Sequence, residues 1–232
     1  MFTESFSLFS KYSELGFVMK KIILIGGGGH CRSCIDVIES TNEFQIIGII
    51  DKPELQSATL LGYPVIGTDN DILSLEDKTD YFLITIGHIG FESRRKELFD
   101  FLNAKNLMCA TVISPHAVIG KEVMIGKGTI VMHQAMINTG AKVGDNGIIN
   151  SKALIEHDAK IGDHCHISTG AILNGEVKIG DQCFIGSHAT VNLKVGIVSR
   201  TVVASNSLVT KSIKGPGIYR GIPVVSKCTD DI

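Results

Sequence analysis

From Ile113 onward, every sixth residue of the chain is aliphatic. The series runs Ile113, Ile119, Ile125, Val131, Ile137, Val143, Ile149, Ile155, Ile161, Ile167, Leu173, Ile179, Ile185, Val191, Ile197, Val203 and Val209, without a slip. A period of six fits neither the 3.6 of a helix nor the alternation of a simple strand. It fits very short strands separated by tight corners. A small residue often stands two places before the aliphatic, as at Ala135, Ala141, Ala153, Ala159 and Ala171, and a glycine often follows it, as at Gly120, Gly126, Gly144, Gly162 and Gly180. The aliphatic side chain is expected to point into a narrow core, and the following Gly or Asn to tolerate the backbone of the bend. Such repeats make a parallel β-helix in which three hexapeptides form one triangular coil. With coils stacked about 4.8 Å apart, the run predicts nearly six coils.

The first half reads differently. "KKIILIGGGGH" is a buried strand, a glycine-rich turn and a helix start at His30, with the helix running to about Glu39. "FQIIGIID" is a second strand ending at Asp51, Val65 and Ile66 a short extended piece, and Asp69–Leu75 helical with Asp69 or Thr68 as cap. "DYFLITIG" is a further strand, Phe91–Leu102 an amphipathic helix and Met108–Val112 a last strand entering the prism. Apolar strands alternating with helices predict a parallel, Rossmann-like sheet. The expected organisation is a poorly ordered extension over residues 1–19, a nucleotide-sugar-binding α/β domain over 20–110, and a β-helix domain with a C-terminal tail over 111–232.

Composition excludes several classes. Lys plus Arg number 22 against 24 Asp plus Glu, so there is no basic field for nucleic acid. No apolar run reaches the roughly 20 residues of a membrane helix, and the N-terminus lacks the pattern of a secretory signal. The six cysteines are dispersed and expected to be reduced thiols of a cytoplasmic protein, with Cys31 and Cys34 packing a helix.

The glycine turn and Asp51 suggest a nucleotide, since backbone N–H groups at a helix start attract anions. The dinucleotide fingerprint fails, because Cys31 stands where its third glycine belongs; NAD is not expected. In the prism, "IEHDAKIGDHCHIS" (Ile155–Ser168) crowds three histidines among acids. His157 beside Asp158 or Glu156 suits general-base work near neutral pH. Zinc is disfavoured, because His164 and His166 alternate on one strand while His157 lies half a coil away. His164, Asp163 and His133 read as surface residues.

The glycine loop, the paired domains and the histidine-plus-acid motif together resemble the sialic acid O-acetyltransferase-type sugar acyltransferases, closest to the nucleotide (UDP)-4-amino-sugar N-acetyltransferases of bacillosamine-type pathways. The resemblance covers Lys20 to Lys227. It implies a left-handed prism, an exception to the usual crossover hand, and acetyl-CoA-dependent acetylation of the 4-amino group of a nucleotide-linked 4-amino-4,6-dideoxy sugar, without a metal. It implies that His157 is the base with Asp158 as its acid. It puts His166 at the acetyl-CoA thioester and Gly175, Gly186, Ser187, Ala204 and Ser205 along the cofactor. It puts Gly28, Gly29, His30, Asp51, Lys52, Gly87, His88 and Asn150 on the nucleotide-sugar side. Lys52 stands where close relatives carry a second acid, and His88 where Asn is commoner, so the nucleobase stays open. His157 and His166 should lie about 15 Å apart in one chain, which predicts a homotrimer with intersubunit sites. Alternatives are O-acetylation of a sialic acid-like sugar and a non-catalytic nucleotide-sugar-binding protein.

Overall fold

The computed structural model describes residues 19–55, 58–90 and 94–227. The extension expected over residues 1–19 falls outside them except for Met19, as does the expected helical start at Phe91.

The α/β half opens with β1 (Lys20–Ile25), α1 (Gly29–Thr41) and β2 (Phe44–Ile50). A hairpin follows, β3 (Thr59–Leu60) and β4 (Tyr63–Gly67), and then β5 (Tyr81–Ile84). The strand order is β3-β4-β2-β1-β5, parallel except for the β3–β4 pair. The strands are continuous apolar runs because both faces are covered. Ile22 and Leu24 point into one core with Cys34, Val37 and Ile38 of α1. Ile23 and Ile25 point into the other, with Leu98, Phe99 and Leu102 of α2 (Arg94–Ala104). The helical stretch expected at Asp69–Leu75 is two 3₁₀ turns, Asp69–Asp71 and Leu73–Lys78, the first capped by Thr68. The strand expected at Met108–Val112 reduces to a bridge between Phe82 and Cys109, and β6 begins at Val112.

The prism consists of strands of two residues, or three at Thr201–Val203, each ending on a residue of the six-step series and stacked in register with partners 18 residues away. The aliphatic column is the core, fully buried from Val131 to Val209 apart from a few per cent at Val143, Ile161, Ile179 and Ile197. At the open first coil Ile113 and Ile119 remain more than a third exposed, because no coil lies beneath them. The other end is closed by the strands Gly217–Gly221 and Val224–Lys227, whose Tyr219 and Val224 pack against the core.

The glycine that follows the aliphatic does not serve the bend. The left-handed backbone falls two places later, at Gln134, Asn146, Lys152, Asp158, His164 and Glu176 among others, and at Gly128, Gly140 and Gly170. The glycine is required by stacking. A Cβ at Gly144 would sit 2.3 Å from Asp163 Oδ1 in the next coil, and one at Gly186 would sit 2.5 Å from the Ser205 nitrogen. Asp145, Asp163 and Asp181 form a ladder along one corner, in which Asp163 accepts from the Asp145 N–H and Asp181 from the Asp163 N–H.

The residue before each aliphatic points outward and gives each face its character. The first face presents Val112, Ile130, Ile148, His166, Phe184 and Val202, stacked in register. Its lower half is buried under α1. The second face presents Val118, Met136, Leu154, Ile172, Thr190 and Leu208, none of which the described residues bury completely. The third presents Met124, Lys142, Lys160, Lys178 and Gly196.

Two polar ties fix the α/β half to the first face. His133 donates from Nε2 to Asp36 on α1 at 3.0 Å and accepts at Nδ1 from Ser114 at 2.6 Å. Arg95, 3 % exposed, has no carboxylate partner among the described residues. Its guanidinium donates to the carbonyls of Ile84 and Ile86 after β5, and to those of Asn146 at 3.2 Å and Gly128 at 3.4 Å in the prism.

Candidate active site

The glycine loop is shaped by Asp51. Its carboxylate accepts the Gly27 N–H at 2.7 Å and the Lys52 N–H at 2.8 Å. Asp51 therefore builds the loop as well as lining it. Gly28 and Gly29, at the start of α1, face open space, and no acidic residue occupies the first turn of the helix. A helix N-terminus of this kind suits a phosphate.

Behind the loop, three imidazoles gather where the two halves meet. The ring of His166 lies 6.4 Å from that of His30 and 5.9 Å from that of His88, and Phe184 closes the cluster edge-on. Gly87 lies beside His30, where a Cβ would be 3.4 Å from the His30 Cβ. The His166 Nδ1–H donates to the His88 carbonyl at 2.7 Å, and its Nε2 accepts from the Asn150 amide at 3.2 Å. Burial pushes the His166 pKa down to about 3 and those of His30 and His88 to about 4; the Arg95 charge adds to the shift at all three. All three are neutral at pH 7. The buried Nε2 of His30 has no partner among the described residues and is available to a ligand in the loop.

With its proton on Nδ1 and a lone pair on Nε2, His166 accepts rather than donates at Nε2. The fixing contact is with a main-chain oxygen 78 residues away in sequence, so local reading could not find it.

His157 lies elsewhere, on the corner between the second and third faces, with its side chain 53 % exposed. Its Nδ1 is 3.0 Å from Asp158 Oδ2. The hydrogen bond to Asp158 raises the His157 pKa; desolvation opposes it, and the charges of Asp158, Glu156 and Glu176 add to the rise. Glu156, the other acidic neighbour, instead accepts from Asn138 at 2.8 Å. The pair rests between two glycines of adjacent coils. A Cβ at Gly175 would lie 2.5 Å from His157 Nε2, and one at Gly140 would lie 2.7 Å from Asp158 Oδ1.

The remaining expected residues form a column on the corner between the first and second faces. Asn150, Gly186, Ser187, Ala204 and Ser205 all lie there, with Ser187 hydrogen-bonded to Ser168 at 2.9 Å. The chain thus carries two columns, one holding His157, Asp158 and Gly175, the other running from Asn150 to Ser205, with the apolar second face between them. His164 turns inward against Phe99 and hydrogen-bonds Asn146. Among the described residues no group of three or more His, Cys, Asp or Glu side chains is placed to hold a metal ion. The described cysteines are free and buried. Arg95 escaped sequence reading, though it occupies the apolar stripe of its helix with Leu98, Phe99 and Leu102.

Residues 21–101 match the PglD N-terminal domain family and residues 105–195 the GMPPB C-terminal domain family. A UDP-N-acetylbacillosamine N-acetyltransferase of Bacillus subtilis is 29 % identical over 123 residues, 49 % of this chain; the match spans about half of that relative, 52 %. PerB from Caulobacter crescentus, solved with CoA and GDP-perosamine, superposes with a TM-score of 0.83 at 28 % identity, covering 91 % of this chain and 99 % of that one. The acetyltransferase domain of PglB from Neisseria gonorrhoeae superposes with the same score, 0.83, at 25 % identity, over 90 % of this chain and all of its own, 100 %. In sequence and fold the chain is thus similar to bacillosamine-type sugar N-acetyltransferases, an α/β half followed by a hexapeptide prism.

Proposed function

We propose that the protein transfers the acetyl group of acetyl-CoA to the 4-amino group of a nucleotide-linked 4-amino-4,6-dideoxy sugar, for bacterial surface glycans or protein glycosylation, in the cytoplasm. The observation that carries this reading is the exposed His157–Asp158 pair. Its Nε2 is free to take a proton, and its Nδ1–H is held by a carboxylate. A neutral amine attacks the thioester carbonyl, and the C–N bond forms. His157 Nε2 takes the ammonium proton, and collapse of the tetrahedral centre expels the CoA thiolate, which is then protonated. The α/β loop at Gly28 and Gly29 would hold the diphosphate, with His30, Gly87, His88 and Lys52 around the nucleotide sugar.

Assembly follows from the faces. A stacked apolar column such as Met136, Leu154 and Ile172 favours burial, and a homotrimer would bury it around a threefold axis. Packing the second faces inward would bring the His157 corner of one subunit against the Asn150–Ser205 corner of its neighbour. Each cleft would then combine the base of one chain with the cofactor column of the next. Relatives differ in nucleotide: one is named for a UDP sugar and another was solved with GDP-perosamine. A panel of UDP-, dTDP- and GDP-linked 4-amino sugars, with release of free thiol as the readout, tests the reading. UDP sugars are expected to be preferred. Failure to release thiol with any of them would refute it.

A further inference from the structure

Packing does not account for Arg95. It lies in the apolar stripe of α2 with Leu98, Phe99 and Leu102, where an aliphatic side chain would fill the seam without charge. Burial lowers its pKa to about 10, so it stays a cation at pH 7. A buried cation without an acidic partner costs free energy. All three of its nitrogens donate. Nε donates to the Asn146 carbonyl and Nη2 to that of Gly128, both in the prism. Nη1 donates to the carbonyls of Ile84 and Ile86, which flank Thr85 at the start of the turn through Gly87 to His88. The buried Thr85 hydroxyl meets the Ile25 and Gly26 carbonyls at 3.1 and 2.6 Å. A Cβ at Gly26, the head of the glycine loop, would collide with the Ile86 side chain. Two residues further on, the His88 carbonyl accepts the His166 Nδ1–H at 2.7 Å.

We propose that Arg95 is a positioning residue of the acceptor site: its guanidinium, anchored on the prism, sets the turn over residues 84–88, and through that turn the glycine loop and the tautomer of His166. The inference rests on the nucleotide-sugar reading, and it adds what holds that site in shape. A planar fork can serve carbonyls on two sides at once. Its prism contacts fix where Nη1 stands, and the carbonyls of Ile84 and Ile86 must meet it there. Gly87 and His88 follow from that placement. A displaced turn would shift Ile86 against Gly26 and withdraw the His88 carbonyl from His166. The imidazole would then no longer be held to the tautomer with its proton on Nδ1.

The test uses the full chain with Arg95→Met and Arg95→Lys. Proton–nitrogen correlation NMR of histidine-labelled protein needs no substrate and reads which ring nitrogen carries the proton. Wild-type His166 should carry it on Nδ1, and Arg95→Met should show a substantial fraction on Nε2. Steady-state kinetics of Arg95→Met should give a KM for the nucleotide sugar raised roughly tenfold or more, with little change in Kd for CoA. Loss of folded protein alone would lower kcat at unchanged KM, so a raised KM separates positioning from stability. Arg95→Lys keeps the charge but brings one nitrogen to carbonyls on two sides. Its KM should lie between the two, and it carries the test if Arg95→Met does not fold. A folded variant of either kind with wild-type KM for the sugar and His166 still protonated on Nδ1 would overturn the proposal. So would a wild-type His166 with its proton on Nε2. A tautomer change in a protein that acetylates no nucleotide sugar would uphold the positioning and remove the acceptor reading.

Discussion

The imidazole of His157 lies on the bare Cα of Gly175 in the next coil, at a distance no side chain could share. Gly175→Ala is expected to push the ring off its seat while leaving the prism folded. The expected outcome is a fall in kcat of about 10-fold or more with an unchanged melting temperature. A variant with wild-type kcat would show that the ring has room to move without loss.

Removal of the base has a larger expected effect. His157→Ala should lower turnover by about 10²- to 10⁴-fold and change the binding of either substrate little. Asp158 raises the His157 pKa through its hydrogen bond, and the base works only when deprotonated. Asp158→Asn should therefore move the acidic limb of the kcat/KM profile to lower pH while reducing the plateau. A limb that stays in place in Asp158→Asn would assign it to another group.

Asp51 holds two backbone N–H groups of its own loop. Asp51→Ala leaves them without that acceptor, at a cost of about 1–3 kcal/mol. The melting temperature should fall by several degrees as nucleotide-sugar binding weakens. Differential scanning calorimetry showing weaker sugar binding with no loss of stability would place the carboxylate in recognition alone.

The neutral histidine cluster ties stability to pH. His30, His88 and His166 have pKa values lowered to about 4, 4 and 3 in the fold, below the 6.5 of an unfolded histidine. Between these values the unfolded chain binds more protons, so stability is present above pH 6.5 and is lost as the pH falls toward 4. Near pH 5 the difference approaches three protons, roughly 4 kcal/mol per pH unit. Urea titrations across this window should show that slope, and His88→Asn should reduce it by about one proton.

If the second face is the contact between copies, light scattering should give three times the chain mass. Leu154→Lys together with Ile172→Lys should yield a folded monomer with little activity, because each proposed cleft draws on two chains. An active double-variant monomer would sink the shared-cleft arrangement.

The inward column was legible because one residue type recurs with one period and a slip of a single place would show. The faces were equally present in the sequence. They emerge only when the residue before each aliphatic is read with a period of 18, which aligns Lys142 with Lys160 and Lys178 and Leu154 with Ile172. The role given to the glycines was misplaced for a physical reason. A left-handed residue and a close-packed one both favour glycine, and only coordinates separate Gly140, with φ of 74°, from Gly144, which is pressed against Asp163. His157 could be found from its own neighbours. The environment of His166 could not, because it depends on a backbone oxygen supplied by the other half of the chain.

Arg95 has a consequence for how the chain comes apart. Among the described residues no acid neutralises its charge, and it is buried from water; it is held by carbonyls from both halves at once. Pulling the halves apart would strip those from the prism and leave a cation in an apolar seam. The α/β half and the prism should therefore melt in a single cooperative transition. A prism grafted onto a foreign front half would inherit several empty carbonyls where the guanidinium had been.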